Sequence, residues 1–261
     1  MMKRRLVQGL LIFALLCGAV LLAHPTAAWA EDVTYLDAQG HSQTYSGAYT
    51  MVTAQDQQWT AGWYVVSGDV TIGSEEQPIR VAVSGDVHLI LTDDSSLTVI
   101  GGIEVQDDDN VLETPSPNSL TIYAQSTSDS MGALMASGAV SQTGIGGSVY
   151  GDGGCITING GRVTAIGADN AAGIGGGAGE DCKGGTIVIN GGIVKAVSTR
   201  YGAGIGGGVC GDGGSITING GRVTATGGFT AAGIGGGWEG DGGSITINGG
   251  TITSVGKEGA G

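Results

Sequence analysis

The sequence predicts an all-β fold, a right-handed parallel β-helix with about 29 residues per coil in its C-terminal repeats and a cap at its N-terminal end. Three observations carry this. First, one phrase recurs from about Gly144 to Gly261: Gly-Ile-Gly-Gly begins at Gly144, Gly173, Gly204 and Gly233, and the Asn of an Ile-Thr-Ile-Asn-type element falls at Asn159, Asn190, Asn219 and Asn248. Subtraction gives spacings of 29, 31 and 29 for the first element and 31, 29 and 29 for the second, while each Asn stays 14 residues before the next Gly-Ile element. The two extra residues therefore lie in one turn, around Glu180-Asp181-Cys182-Lys183, as a stacked repeat requires.

Second, apolar and polar residues alternate within each repeat at Ile156-Thr157-Ile158, Ile216-Thr217-Ile218 and Ile245-Thr246-Ile247, so the Ile side chains point one way and the Thr the other. Val223-Thr224-Ala225 is a second short strand and Gly204-Ile205-Gly206 a third. One such coil cannot bury its apolar face alone. Stacking the coils about 4.8 Å apart would pile Ile145, Ile174, Ile205 and Ile234 into one interior column and Ile158, Ile189, Ile218 and Ile247 into another. The Asn residues would then stack as an amide ladder at Asn-Gly-Gly corners suited to left-handed backbone. Third, the 54 Gly residues show no three-residue period, which excludes collagen-like glycine, and 41% hydrophobic residues are too many for disorder.

Taken in order, residues 1–30 read as a secretory signal. Lys3, Arg4 and Arg5 are its basic start, Leu10 to Ala23 its apolar run, and Ala28-Trp29-Ala30 a small-x-small cleavage motif before Glu31. The alternative is an uncleaved anchor, against which the short run and Pro25 argue. Residues 31–64 are expected to cap the solenoid, with Tyr35, Tyr45, Tyr49, Trp59, Trp63 and Tyr64 as its aromatic core. Residues 65–143 hold diverged rungs, announced by a Val-Ser-Gly-Asp-Val phrase at Val66 and again at Val83. Residues 144–261 are the regular glycine-rich repeats, continuous with what precedes them. No polar cap follows Lys257-Glu258-Gly259-Ala260-Gly261, so a continuation or a partner is expected at that open edge.

Removing the signal leaves 7 basic and 24 acidic residues, a net of about −17, which argues against nucleic acid and anionic membranes as partners. Cys155, Cys182 and Cys210 remain in that mature chain, without the close spacing of a structural zinc site. Cys182 and Cys210 lie one coil apart, which leaves open both a disulfide and serine-like turn positions. The run Asp107, Asp108 and Asp109 has the clustered carboxylates that calcium takes, and a solvated acidic turn is the simpler reading. Asp152, Asp212 and Asp241 recur at one corner as turn residues. No nucleophile elbow, His-Glu-x-x-His or phosphate loop is present, and scattered cations such as Arg162 and Arg222 do not make the charge-neutralising cluster of a β-elimination lyase. The chain is therefore expected not to be an enzyme and to need no cofactor.

The combination of Trp63-Tyr64-Val65-Val66-Ser67-Gly68-Asp69-Val70, Ser84-Gly85-Asp86-Val87-His88-Leu89-Ile90-Leu91, Ser119-Leu120-Thr121-Ile122-Tyr123-Ala124-Gln125-Ser126 and the Gly-Ile-Gly-Gly-Gly repeats resembles secreted Gram-positive, mostly anaerobic, surface proteins described as carbohydrate-binding-domain-containing β-helix proteins. The resemblance covers nearly all of the mature chain and implies a secreted or cell-surface protein that binds polysaccharide or cell-wall glycan without cleaving it. The alternative is a structural stalk or adhesin segment that presents other domains. A third reading, ice binding through Thr157, Thr217 and Thr246, is interrupted by Val188. The candidate ligand-binding residues are turn aromatics that break the glycine pattern: Tyr201 and Phe229 between an Asn corner and the next Gly-Ile strand, and Tyr150 and Trp238 just after that strand.

Overall fold

The computed structural model describes residues 28–29, 31–105, 118–179 and 182–257, and among them every regular element is a strand. The chain winds as a parallel β-solenoid of three faces. The Ile-Thr-Ile strands (Cys155–Ile158, Thr186–Ile189, Ser215–Ile218, Ser244–Ile247) form one face and the Val-Thr-Ala strands (Arg162–Gly167, Ile193–Ser198, Arg222–Phe229, Thr251–Lys257) a second. The two-residue strands Ile145–Gly146, Ile174–Gly175, Ile205–Gly206 and Ile234–Gly235 form the third. Each strand pairs in parallel with its counterpart one coil away, in phase: Ile145 with Ile174, Ile174 with Ile205, Ile205 with Ile234. Ile158, Ile189, Ile218 and Ile247 register in the same way, so both expected interior columns form.

The diverged rungs continue these columns toward the N-terminal side. Leu89 and Ile122 extend the column of Ile158, and Leu97 and Leu134 that of Val163. The eleven-residue strand Val81–Leu91 joins two faces, because its first residues pair with Ile103–Glu104 and its last six with Ser119–Ala124. One core runs through the stack, from Trp59 and Tyr64 to Ile216, Ile218 and Val223. At roughly 1.5–3 kcal/mol for each fully buried aliphatic side chain, these columns are the main driving force for stacking. At the last described coil the interior opens to solvent: Ile245 is 42% and Ile247 53% exposed, against complete burial of Ile216 and Ile218.

Close stacking on the third face needs glycine at one point. Gly146, Gly175 and Gly206 take φ of 133°, 130° and 133°, and a Cβ on any of them would strike the carbonyl oxygen of Gly175, Gly206 or Gly235 in the next coil. The Gly175 oxygen already accepts from the Gly147 N–H at 2.8 Å, so it cannot retreat without breaking the ladder. At the Asn corner, Asn190 Nδ2 donates to Asn159 Oδ1, Asn219 Nδ2 to Asn190 Oδ1 and Asn248 Nδ2 to Asn219 Oδ1, each at 2.7 Å.

A buried cation ties the diverged rungs to the regular ones. The Arg80 guanidinium donates to the carbonyl oxygens of Gly101 (3.1 Å), Thr143 (3.0 Å), Gly146 (3.0 Å) and Gly147 (2.8 Å), and pairs with Glu104 at 3.2 Å. Burial pulls it down to about 10, with Glu104 opposing, so it remains charged at neutral pH. The planar fork serves carbonyls of two coils at once, which an ammonium cannot do.

The N-terminal segment is placed sideways. Tyr49–Met51 extends the first face in parallel at Tyr64 and Val65, and Ala28–Trp29 pairs antiparallel with Thr50 and Tyr49. The hairpin of Val33–Leu36 and Ser42–Tyr45 lies instead against the outer side of that face, over Trp63 and Tyr123. The aromatics near Trp63 therefore seal a flank rather than the end of the stack.

Three variants test the ladder and the Arg80 bridge by urea unfolding. Asn190→Ala loses two amide bonds in mid-ladder and should destabilise by about 1–3 kcal/mol, whereas Asn248→Ala, at the exposed end with one bond, should cost less than about 1 kcal/mol. Arg80→Lys should lose about 3 kcal/mol despite keeping the charge, because the carbonyls it leaves cannot all be served.

Candidate functional site

Of the aromatics expected to meet a ligand, Tyr150, Tyr201 and Trp238 sit in the two turns that flank the two-residue strands, and Phe229 ends the strand Arg222–Phe229. Those turns were separable strips in the sequence, and the fold joins them. The Ala178 N–H donates to Ser141 O (3.3 Å), the Val209 N–H to Asn170 O (2.8 Å) and the Trp238 N–H to Tyr201 O (2.9 Å), so the turn after each two-residue strand is bonded to a turn of the previous coil. One ridge results, and it brings Tyr201 and Trp238 together with ring centroids 5.5 Å apart and planes at 38°. The Arg200 guanidinium carbon lies over the Tyr201 ring, 4.8 Å from its centroid. Trp238 is 40% exposed and presents the open ring of this group.

The other two candidates do not join that pair. Phe229, 46% exposed, stands beside Lys257, whose Nζ lies 5.8 Å from its ring centroid. Tyr150, 80% exposed, is on an earlier turn and lies over Gly179. Its backbone has φ of 63°, and Cys210 (57°) and Glu239 (61°) hold the same left-handed conformation at the matching corner of later coils. A bulky residue there costs about 1–2 kcal/mol that glycine would not. In a turn otherwise rich in glycine, Tyr150 is kept against that cost.

The recurrent acids are turn residues. Asp152 Oδ1 accepts from the Lys183 N–H at 2.8 Å and Asp212 Oδ1 from the Asp241 N–H at 2.9 Å, each bond running from one coil to the next. Asp107, Asp108 and Asp109 lie outside the described residues. Among the described residues no group of three or more His, Cys, Asp or Glu could hold a metal ion. The Asn170 side-chain oxygen is enclosed beneath the ridge with no hydrogen-bond partner.

A second concave feature was not read from the sequence. Along the outer side of the first face, Val65, Ile90 and Tyr123 are apolar and covered by the hairpin, while the following positions of the same column are Asn159 and Asn190. The hairpin tip, Leu36 to Gly40, projects past the apolar patch and overhangs the Asn ladder, enclosing a groove of about 580 Å³. Only the Asn-Gly-Gly period on one wall is visible in sequence; nothing periodic marks the hairpin that makes the other.

The hairpin is held by rings. Tyr45 stacks on Trp63 at 4.3 Å, Trp63 on His88 at 4.4 Å, and Tyr35 meets Tyr123 edge-on at 4.8 Å. His88 Nδ1 lies 3.0 Å from the Tyr123 hydroxyl.

Residues 156–178, 187–209, 216–238 and 245–261 match the family described as Beta helix repeat. Residues 156–261 are a run of β-helix repeats. Each match opens on the second residue of an Ile-Thr-Ile-type strand, and the starts are 31, 29 and 29 residues apart, which is the spacing of the Asn ladder. No curated protein and no solved structure matches the chain. No helix among the described residues is long and apolar enough to cross a membrane.

The hairpin contact of this β-helix is testable by pH. Burial first, then Tyr35 and Asp86, push the Tyr123 phenol from 10.0 up to about 12. The folded protein thus keeps a proton that the unfolded chain releases at pH 10, so this contribution is complete below pH 10 and is lost as pH rises toward 12. Near-ultraviolet circular dichroism should show the hairpin loosening across that window, and Tyr123→Phe should flatten the dependence.

Proposed function

We propose that this β-helix is an exported or cell-surface protein that binds polysaccharide without cleaving it, through the ridge centred on Trp238. The observation that carries the proposal is the Tyr201–Trp238 pair, two rings from successive coils held 5.5 Å apart on an exposed edge, with Arg200 over the Tyr201 ring. Flat apolar rings suit the C–H faces of sugar rings, and the guanidinium supplies a hydroxyl partner. Support also comes from Tyr150, retained at a left-handed corner with its ring in solvent. The basic start, apolar run and cleavage motif of residues 1–30 support export.

A stalk or adhesin segment is the second reading, favoured by the unbroken in-phase register of the coils, which makes a stiff spacer. The readings separate on one assay. Retention of the protein on insoluble polysaccharides or a glycan array supports binding, and uniform absence of retention favours the stalk. Appearance of ultraviolet-absorbing unsaturated product would overturn the non-catalytic reading.

Trp238→Ala should remove most of the retention and Tyr201→Ala, which withdraws the support beneath it, a smaller share. Both should leave unfolding free energy within about 1 kcal/mol of the parent, as for surface positions. Tyr150→Gly should be neutral to stabilising, because glycine takes the left-handed corner without strain. Unchanged retention in the Tyr201→Ala, Trp238→Ala double variant would remove the ridge as the binding surface.

A further inference from the structure

The groove beneath the hairpin tip lies at a different corner of the coil from the aromatic ridge. Its walls come from parts of the chain far apart in sequence: Leu36, Ala38 and Gln39 on the hairpin, and Asn159, Asn190 and Asn219 on the ladder. Ser126, Thr127 and Met131 close one end, and Ile193 adds an apolar patch. At about 580 Å³ it falls within the range of small-molecule sites, roughly 300–1,000 Å³.

Its chemistry is unlike that of the rest of the surface. The whole chain carries 24 acidic and 10 basic residues, yet no charged side chain lines the groove. Asp37, at the hairpin tip, is turned back into its own turn, where it accepts from the N–H groups of Gln39 (3.0 Å) and His41 (2.9 Å) and from Gln43 Nε2 (2.8 Å), and Asp93 accepts from the Ser126 hydroxyl at 2.9 Å. The charges beside the groove, Arg162 and Arg222, stand in register with Ile193 but do not line it.

The donors and acceptors present are neutral and periodic. An Asn amide has two N–H donors and two acceptor lone pairs, and the ladder uses one of each at Asn190 and Asn219. A row of amide N–H and C=O groups is left, repeated at the coil spacing of about 4.8 Å. Gly160, Gly191 and Gly192 carry no side chain to keep a ligand from this row. The ladder N–H groups on either side of the corner are already taken, those of Asn190, Ile193, Asn219 and Arg222 donating to Ile158, Gly161, Ile189 and Gly192 of the preceding coil. A peptide strand adding to a sheet edge would need those groups.

We propose that this groove is a second carbohydrate subsite, taking a neutral oligosaccharide that lies along the stack with its hydroxyls on the Asn row and its C–H faces on Ile193, Met131 and Leu36. This rests on the glycan-binding reading but not on the aromatic ridge.

The test uses the mature protein and calorimetric titration with cellohexaose, xylohexaose, mannohexaose and chitohexaose, with hexagalacturonate as the charged control. Two groove variants are compared, Ala38→Trp, which fills the space from the exposed hairpin tip, and Thr127→Arg, which places a charge at its end; circular dichroism checks that each is folded. The expected result is that at least one neutral hexasaccharide binds, that both groove variants weaken it by about tenfold or more, and that the Tyr201→Ala, Trp238→Ala pair changes it by less than about twofold. Loss of hexasaccharide binding only in the ridge double variant would overturn the groove proposal and leave the general reading standing. Retention on insoluble glycan with no hexasaccharide binding would do the same, and hexagalacturonate binding as tightly as the neutral sugars would overturn the assigned ligand class. Absence of both hexasaccharide binding and retention would overturn the groove and the glycan reading together.

Discussion

Each coil of this protein must offer its backbone N–H and C=O groups to the next coil in the same phase, and nearly every other feature follows from that requirement. A coil that slipped by one residue would turn its Ile residues outward and its Thr inward, because strand side chains alternate. The interior columns and the hydrogen-bond ladder are therefore one constraint seen from two sides. It is met most tightly on the third face, where Gly146, Gly175 and Gly206 leave room for the next coil's carbonyl. Length changes are tolerated only where they do not disturb phase, and the two extra residues of the longer copy fall between Ile174–Gly175 and Thr186–Ile189, each of which keeps its register with the coils on either side.

The same phasing turns each corner into a column of like residues, and the chemistry of a column depends on what is repeated there. At one corner Asn repeats, and the amides bind one another with half their capacity to spare. At another, Asp152 and Asp212 each accept from a backbone N–H one coil away and so serve the stacking. At the ridge nothing polar repeats, and Tyr201 and Trp238 stand at turn positions whose counterparts one coil away, Asn170 and Thr230 for the first and Val209 for the second, are not aromatic. Recurrence marks structure at the aspartates and departure from recurrence marks the ridge, while the Asn row is structural on one side of its amides and open on the other.

Where the N-terminal hairpin sits follows from a change within one column. Val65, Ile90 and Tyr123 are outward-facing yet apolar, and Ile90 is fully buried only because Tyr35, Tyr45 and Trp63 lie over that flank. Leaving that patch in water would forfeit roughly 25 cal/mol for each Å² of apolar surface. The column changes to Asn at Asn159, and there the hairpin tip no longer touches the face but overhangs it. The groove is the space left where an apolar docking patch ends before the hairpin does.

The sequence by itself determined the coil: its period, the interior Ile columns, the Asn corners, the confinement of extra length to one turn, and the exposed position of Tyr150, Phe229 and Trp238. All of these are periodic or are breaks in a period, and in a stacked fold the period is the contact map. Only the tertiary structure decided that the two aromatic strips form one ridge, that Tyr201 supports Trp238 while Tyr150 stands apart, that Arg80 bridges coils through carbonyls of Gly101 and Gly147, and that the hairpin lies on a flank and encloses a groove. Those contacts join residues of unrelated spacing, up to 67 apart for Arg80 and Gly147, and are selected by packing rather than by register. No repeat in the chain carries their imprint.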